Sequence, residues 1–166
     1  MLNFEEYSSV VIPAFQAFQE NTLKVKRLVP EAVLPAKANS TDAGYDCVAI
    51  DSGTITDSYI EYGTGIAVEL PEGYHCELFP RSSISKYHLI LSNGVGLVDP
   101  AYRGELKFRF KICTSPSDVA TPYRLYKKGD KIGQIVIRRT YNFPVQEVDI
   151  LSETVRGEGG FGSTGV

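Results

Sequence analysis

The stretch Leu106-Lys107-Phe108-Arg109-Phe110-Lys111-Ile112 alternates without interruption. Leu106, Phe108, Phe110 and Ile112 fall on one side and Lys107, Arg109 and Lys111 on the other, the period of two that a strand with one wet face requires. The same period returns on either side of it. Over residues 64–70 it groups Ile66, Val68 and Leu70, and Tyr74, Cys76 and Leu78 repeat it after the turn Pro71-Glu72-Gly73. Lys131–Arg139 carries a continuous apolar run at 135–137, which suits a more deeply buried strand. Many short strands punctuated by Gly, Pro, Asp and Ser predict an all-β sandwich, jelly roll or barrel.

Helical signals are few. Residues 81–86 have room for one short helical turn between strands. Near the start, Asn3 and Glu6 are spaced as a helix cap, followed by Tyr7, Val11, Phe15 and Phe18 at near-helical intervals, with Pro13 placed to kink the pattern. Residues 1–22 therefore read as a partly helical appendage whose apolar face needs another surface to cover it. Residues 23–155 read as the β domain, and residues 156–166 as a separate glycine-rich tail.

The chain has 166 residues, enough for one core burying roughly 70% of the unfolded surface. Its 43% hydrophobic and 22% charged residues exclude wholesale disorder. With 17 Lys+Arg against 20 Asp+Glu, the net charge is −3. That argues against direct nucleic-acid binding, which needs many phosphate contacts, but leaves room for a small basic pocket holding one phosphorylated ligand. Cys47, Cys76 and Cys113 are odd in number and lack C-x-x-C spacing, as reduced thiols would be. Two histidines, His75 and His88, argue against a His-built zinc site. The N-terminus lacks a basic leader, and no run approaches the about eighteen apolar residues of a membrane span. The expectation is a soluble protein without membrane contact, in the cytoplasm (the host's, if the source is viral).

Five stretches carry polar chemistry. They are Asp42-Ala43-Gly44-Tyr45-Asp46; Pro80-Arg81-Ser82-Ser83; Asn93-Gly94-Val95-Gly96-Leu97-Val98-Asp99, continuing Pro100-Ala101-Tyr102-Arg103-Gly104; Gly129-Asp130-Lys131-Ile132-Gly133-Gln134; and the tail from Arg156 through Gly165. Singly, each has a plain structural reading. Asp-Ala-Gly is turn chemistry, Ser82 and Ser83 fit a helix cap, Asp99 before Pro100 fits a turn carboxylate, and Tyr102 a core aromatic with a wet hydroxyl. The tail is different, because five of the ten residues from Arg156 to Gly165 are glycine. It cannot order itself by burial, yet its arginine, hydroxyls and glycine N–H groups are the parts that wrap an anion.

In this order and together, the five stretches resemble the motifs of the trimeric deoxyuridine triphosphatase (dUTPase) family, from about Leu23 to Val166. The short spacing from Arg81 to Asp99, with Lys86-Tyr87-His88-Leu89 between, is similar to bacteriophage members. The resemblance implies a jelly-roll (β-clip) subunit in a homotrimer with shared active sites. It implies Mg2+-assisted hydrolysis of dUTP to dUMP and pyrophosphate, which lowers dUTP and supplies dUMP for dTMP synthesis.

Carried over by position, Asp99 would be the general base that activates the water attacking the α-phosphorus. Asn93 and the backbone over 94–98, with Gly96, Leu97 and Val98, would form the hairpin that pairs with uracil. Tyr102 would pack under the deoxyribose, and Lys107 would join the substrate-binding set. Arg81, Ser82, Ser83 and Gln134 would hold the phosphates from a neighbouring subunit. Asp46 would act on Mg2+ only through water, the ion being held mainly by the triphosphate. In the tail, Arg156, Ser163 and Thr164 would bind the γ-phosphate with Gly162 beside them, and Phe161 would stack on the uracil as a mobile lid closed.

Three positions depart from the family's common pattern: Ser83 and Leu89 where Gly is frequent, and Gly133 where Ala is frequent. Two rivals differ in kind. The related dCTP deaminases need a proton-shuttling Glu about where Arg109 stands, and a guanidinium cannot supply that base. A regulatory protein would use the same pocket to sense dUTP and control a protein partner, for which residues 1–22 are the candidate contact.

Overall fold

The computed structural model describes residues 22–113 and 124–160. The helical reading of the N-terminal appendage lies outside the described residues, as do Phe161, Gly162, Ser163 and Thr164. The described residues form ten strands: β1 (Lys24–Arg27), β2 (Tyr45–Val48), β3 (Thr54–Ile55), β4 (Ile60–Gly63), β5 (Ile66–Glu69), β6 (Tyr74–Phe79), β7 (Leu89–Leu91), β8 (Gly96–Val98), β9 (Lys107–Ile112) and β10 (Lys131–Arg139). The helical turn expected at 81–86 is a 3₁₀ turn, Ser82–Lys86. No helix among the described residues is long and apolar enough to cross a membrane.

Two four-stranded antiparallel sheets, β2-β10-β6-β8 and β3-β4-β9-β7, enclose the core, and a two-stranded ribbon, β1-β5, completes the framework. Each strand sits where its pattern requires. In β9 Phe108 and Phe110 are fully buried while Lys107, Arg109 and Lys111 face water. In β10, a central strand, Ile132 and Ile135 are buried. Burying these side chains, with Ile60, Tyr62, Ile66, Cys76 and Leu89, stabilises the sandwich by roughly 1.5–3 kcal/mol for each large apolar group. Cys47 and Cys76 are free, and burial pushes their thiols up to about 12 and about 11. They are packing residues without reactive thiolates.

Gly133, a departure from the family pattern, has a physical cause here. A Cβ built on it would lie 2.1 Å from Cε1 of Phe108, whose ring is fully buried and stacked beside Phe110. Phe108 thus occupies the space that an alanine methyl needs. Gly133→Ala is expected to cost about 1–3 kcal/mol, lowering the thermal midpoint by about 2–4 °C per kcal/mol. Calorimetric melting checks it, and an unchanged midpoint would mean the ring can retreat.

Candidate active site

Strand β7 ends in one sheet and β8 begins in the other, so the turn at 92–95 carries the chain across the sandwich. Gly94 takes φ 68°, a left-handed value that glycine adopts without strain. Its N–H donates to the Leu91 carbonyl at 3.1 Å, and the Val95 N–H donates to the Asn93 carbonyl at 2.7 Å. Gly96 lies directly on Leu78, where a Cβ would come within 2.9 Å of the leucine Cβ. Beside this crossing opens a pocket of about 410 Å³. Its lining brings together Asn93, Gly96, Leu97, Val98, Asp99, Tyr102 and Lys107, seven of the residues expected from sequence to form the site.

Asp99 and Tyr102 hold their places through one turn. Pro100 follows Asp99, and the Tyr102 N–H donates to the Asp99 carbonyl at 3.0 Å. Arg103 staples the turn, its Nη1 donating to the Pro100 and Tyr102 carbonyls at 2.6 and 3.0 Å. The Tyr102 hydroxyl donates to the Glu105 carbonyl at 3.1 Å, so its ring lies over Gly104. A Cβ on Gly104 would stand 2.3 Å from that hydroxyl. The spacing Asp-Pro-x-Tyr-Arg-Gly is therefore one object. Tyr102 is half-exposed, so the core-aromatic reading of it does not hold.

Glu105 and Arg109 also line the pocket and were not expected in it. Arg109 Nε donates to Glu61 Oε2 at 2.7 Å while its guanidinium lies 4.8 Å over the Tyr59 ring. Lys107 Nζ donates to Glu61 Oε1 at 2.7 Å and lies 3.9 Å from Glu105. The Lys107 ammonium, with Arg109, holds the Glu61 carboxyl below its ordinary value. The outward face of β9 announced both cations, but their shared carboxylate lies on β4, which sequence spacing does not reveal.

A second group gathers elsewhere, around β2, β10 and the end of β6. Gln134 pairs in register with Asp46 and Phe79, and its Nε2 donates to the Pro80 carbonyl at 3.2 Å. Asp46 takes Arg81 Nε at 2.8 Å and Lys131 Nζ at 2.7 Å on separate oxygens. The residue preceding the 3₁₀ turn is Arg81, and no side chain caps that turn, so the capping role open to Ser82 and Ser83 is not realised. Arg81, Ser82, Ser83, Gln134 and Asp46 do not line the pocket of Asp99. The two groups are therefore separate within one chain. Arg156 lies in a third region, the stretch beyond β10, with its Nε donating to the Gly159 carbonyl at 2.9 Å.

Among the described residues no group of three His, Cys, Asp or Glu is placed to hold a metal ion. Asp46, with two lone-pair sites taken by cations, retains others that accept from water. A carboxylate oxygen of this kind is a hard donor of the type magnesium prefers.

Comparison with known proteins agrees with this geometry. The dUTPase family model matches residues 30–165. The deoxyuridine 5'-triphosphate nucleotidohydrolase of Thermobifida fusca is 39% identical over 160 residues, covering 95% of this chain and 87% of the relative, and that of Arabidopsis thaliana is 38% identical over 144 residues, covering 86% and 82%. Among solved structures, the Staphylococcus bacteriophage 80alpha dUTPase with dUPNHPP superposes with a TM-score of 0.71 at 30% identity, covering 88% of this chain and 99% of the other. A dUTPase of phage phi11 of S. aureus, described with a structural Mg(II) ion, gives 0.64 at 28% identity, covering 80% and 100%. With the family model spanning residues 30–165, the pocket and the Arg81 group included, this chain belongs to the dUTPase family.

Proposed function

We propose that the protein hydrolyses dUTP to dUMP and pyrophosphate. The observation that carries this reading is the pocket, where a backbone turn, the Asp99 carboxylate and the Tyr102 ring meet in one cavity. The turn at 93–96 offers main-chain donors and acceptors to a pyrimidine edge. Tyr102, fixed by its hydroxyl, forms a flat wall for a sugar that lacks a 2′-hydroxyl. Asp99 removes a proton from a water as that oxygen bonds to the α-phosphorus and the bond to the bridging oxygen breaks, releasing pyrophosphate. Asp46 would hold the water shell of a magnesium ion bound to the triphosphate, and that ion would supply charge neutralisation on the phosphate oxygens. The reaction belongs in the cytoplasm, where deoxynucleotides are made.

The half-site of Arg81, Ser82, Ser83 and Gln134 serves the pocket of another copy in a homotrimer. Two features support this. The phosphate-binding residues are absent from the Asp99 pocket of their own chain. Beyond β10, Tyr141, Phe143, Val145, Ile150, Leu151 and Val155 are exposed along a stretch without strand or helix, apolar surface that a neighbouring subunit would cover. Arg156, at the end of that stretch, then reaches another subunit's substrate together with Phe161, Gly162, Ser163 and Thr164.

A nucleotide panel tests the reaction. Pyrophosphate release is expected from dUTP, with at least about 100-fold lower kcat/KM for UTP, dTTP and dCTP, since a misfit group against a built polar site costs about 3 kcal/mol or more. Ammonia from dCTP would assign a deaminase instead. Tight dUTP binding without pyrophosphate would assign a sensor that acts on a protein partner.

A further inference from the structure

Tyr126 is 1% exposed, its ring packed against Tyr62 at 5.8 Å, Phe110 at 5.7 Å and Tyr87 at 4.0 Å between centroids. Its hydroxyl is buried and, among the described residues, has no hydrogen-bond partner. Tyr62, equally buried, shows the ordinary arrangement, donating to the Tyr126 carbonyl at 3.2 Å. A lone buried hydroxyl weakens a fold, and a phenylalanine would fill the same space without that cost.

The surroundings of this hydroxyl point to the phosphate-holding turn. Tyr87, whose ring stacks on Tyr126, is the residue that ends the 3₁₀ turn Ser82–Lys86, its N–H donating to the Ile84 carbonyl at 2.8 Å. Arg124 lies 4.9 Å over the Tyr87 ring. Arg81 precedes the same turn that Tyr87 ends, and its positive charge opposes the rise of the Tyr126 phenol, which burial and Tyr87 push up to about 12. Arg81 donates its Nε–H to Asp46, and a guanidinium carries five N–H donors, enough to bind phosphate and one further acceptor.

We propose that Tyr126 is a positioning residue for phosphate binding: with substrate present, the Arg81 guanidinium donates to the Tyr126 hydroxyl oxygen, while the Tyr126–Tyr87 stack fixes the turn that presents Ser82 and Ser83. This rests on the reading of Arg81 as a phosphate ligand.

Tyr126→Phe removes the oxygen and keeps the ring. Its KM for dUTP should rise about five- to tenfold with kcat within about twofold, and its melting temperature should equal or exceed that of the parent. A residue acting through packing alone would lower the melting temperature and leave KM in place. Binding of α,β-imido-dUTP, measured by calorimetry, should weaken by the same five- to tenfold factor in Tyr126→Phe. In an Arg81→Ala background the second substitution should add less than about twofold, because the donor is gone. An unchanged KM in Tyr126→Phe overturns the proposal, as does a lowered melting temperature or a full effect in the Arg81→Ala background. If Tyr126→Phe is silent while Arg81→Ala weakens analogue binding, only this inference falls. If Arg81→Ala binds the analogue as the parent does, the reading of Arg81 falls with it.

Discussion

Asp99→Asn is expected to lower kcat for dUTP at least about 100-fold, since a positioned general base contributes about 10²–10⁴ in rate. Binding of α,β-imido-dUTP should change less than about threefold, because asparagine keeps the volume and loses only the proton acceptor. The geometry favours so clean a separation. The turn around Asp99 is closed by its backbone carbonyl, which accepts from the Tyr102 N–H, and by Arg103, which bonds to Pro100 and Tyr102. None of these bonds uses the side chain, so the substitution leaves Tyr102 and the pocket wall in place. A single-turnover measurement with excess enzyme isolates the chemical step from product release. A variant that keeps more than about a tenth of the parent's rate, a loss below about 1.4 kcal/mol, would show that Asp99 is not the base.

Much of this architecture is legible in the sequence, because strands announce themselves locally. The alternation over 106–112 becomes β9 with Phe108 and Phe110 inside, and the apolar run at 135–137 becomes the middle of β10. The compact motif from Asp99 to Gly104 is local as well, so Asp99, Pro100, Tyr102 and Arg103 find partners within a few positions. What the sequence hides is long-range. That Glu61 neutralises both Lys107 and Arg109, or that Arg81 meets Asp46, depends on which strands become neighbours. The crossing between β7 and β8 is hidden for the same reason, since a four-residue turn looks alike whether it closes a hairpin within one sheet or passes between two. Tyr126 shows the opposite failure. Its residue type fits a core aromatic, and only the unpartnered hydroxyl sets it apart from Tyr62.

Equal amounts of Asp99→Ala and Arg156→Ala chains, each nearly inactive alone, are expected to regain activity when refolded together. The reason lies in how one chain divides its parts: Asp99 lines the pocket, while Arg156 comes after an exposed apolar stretch that follows β10. If that stretch crosses to a neighbour, a site is whole when its Asp99 comes from an Arg156→Ala chain and its Arg156 from an Asp99→Ala chain. Random assembly of a cyclic trimer makes this true of about one site in four, so activity should recover to about a quarter of the parent's. Native mass spectrometry establishes that mixed trimers have formed. If both residues of a site came from one chain, every site in every mixture would carry a lesion, and the activity would stay at the level of the two variants assayed alone. Verified mixed trimers without recovery would therefore remove the shared site while leaving Asp99 as the base. Recovery well above a quarter would show that substitution at one of the two positions is tolerated, which each variant assayed alone reveals beforehand.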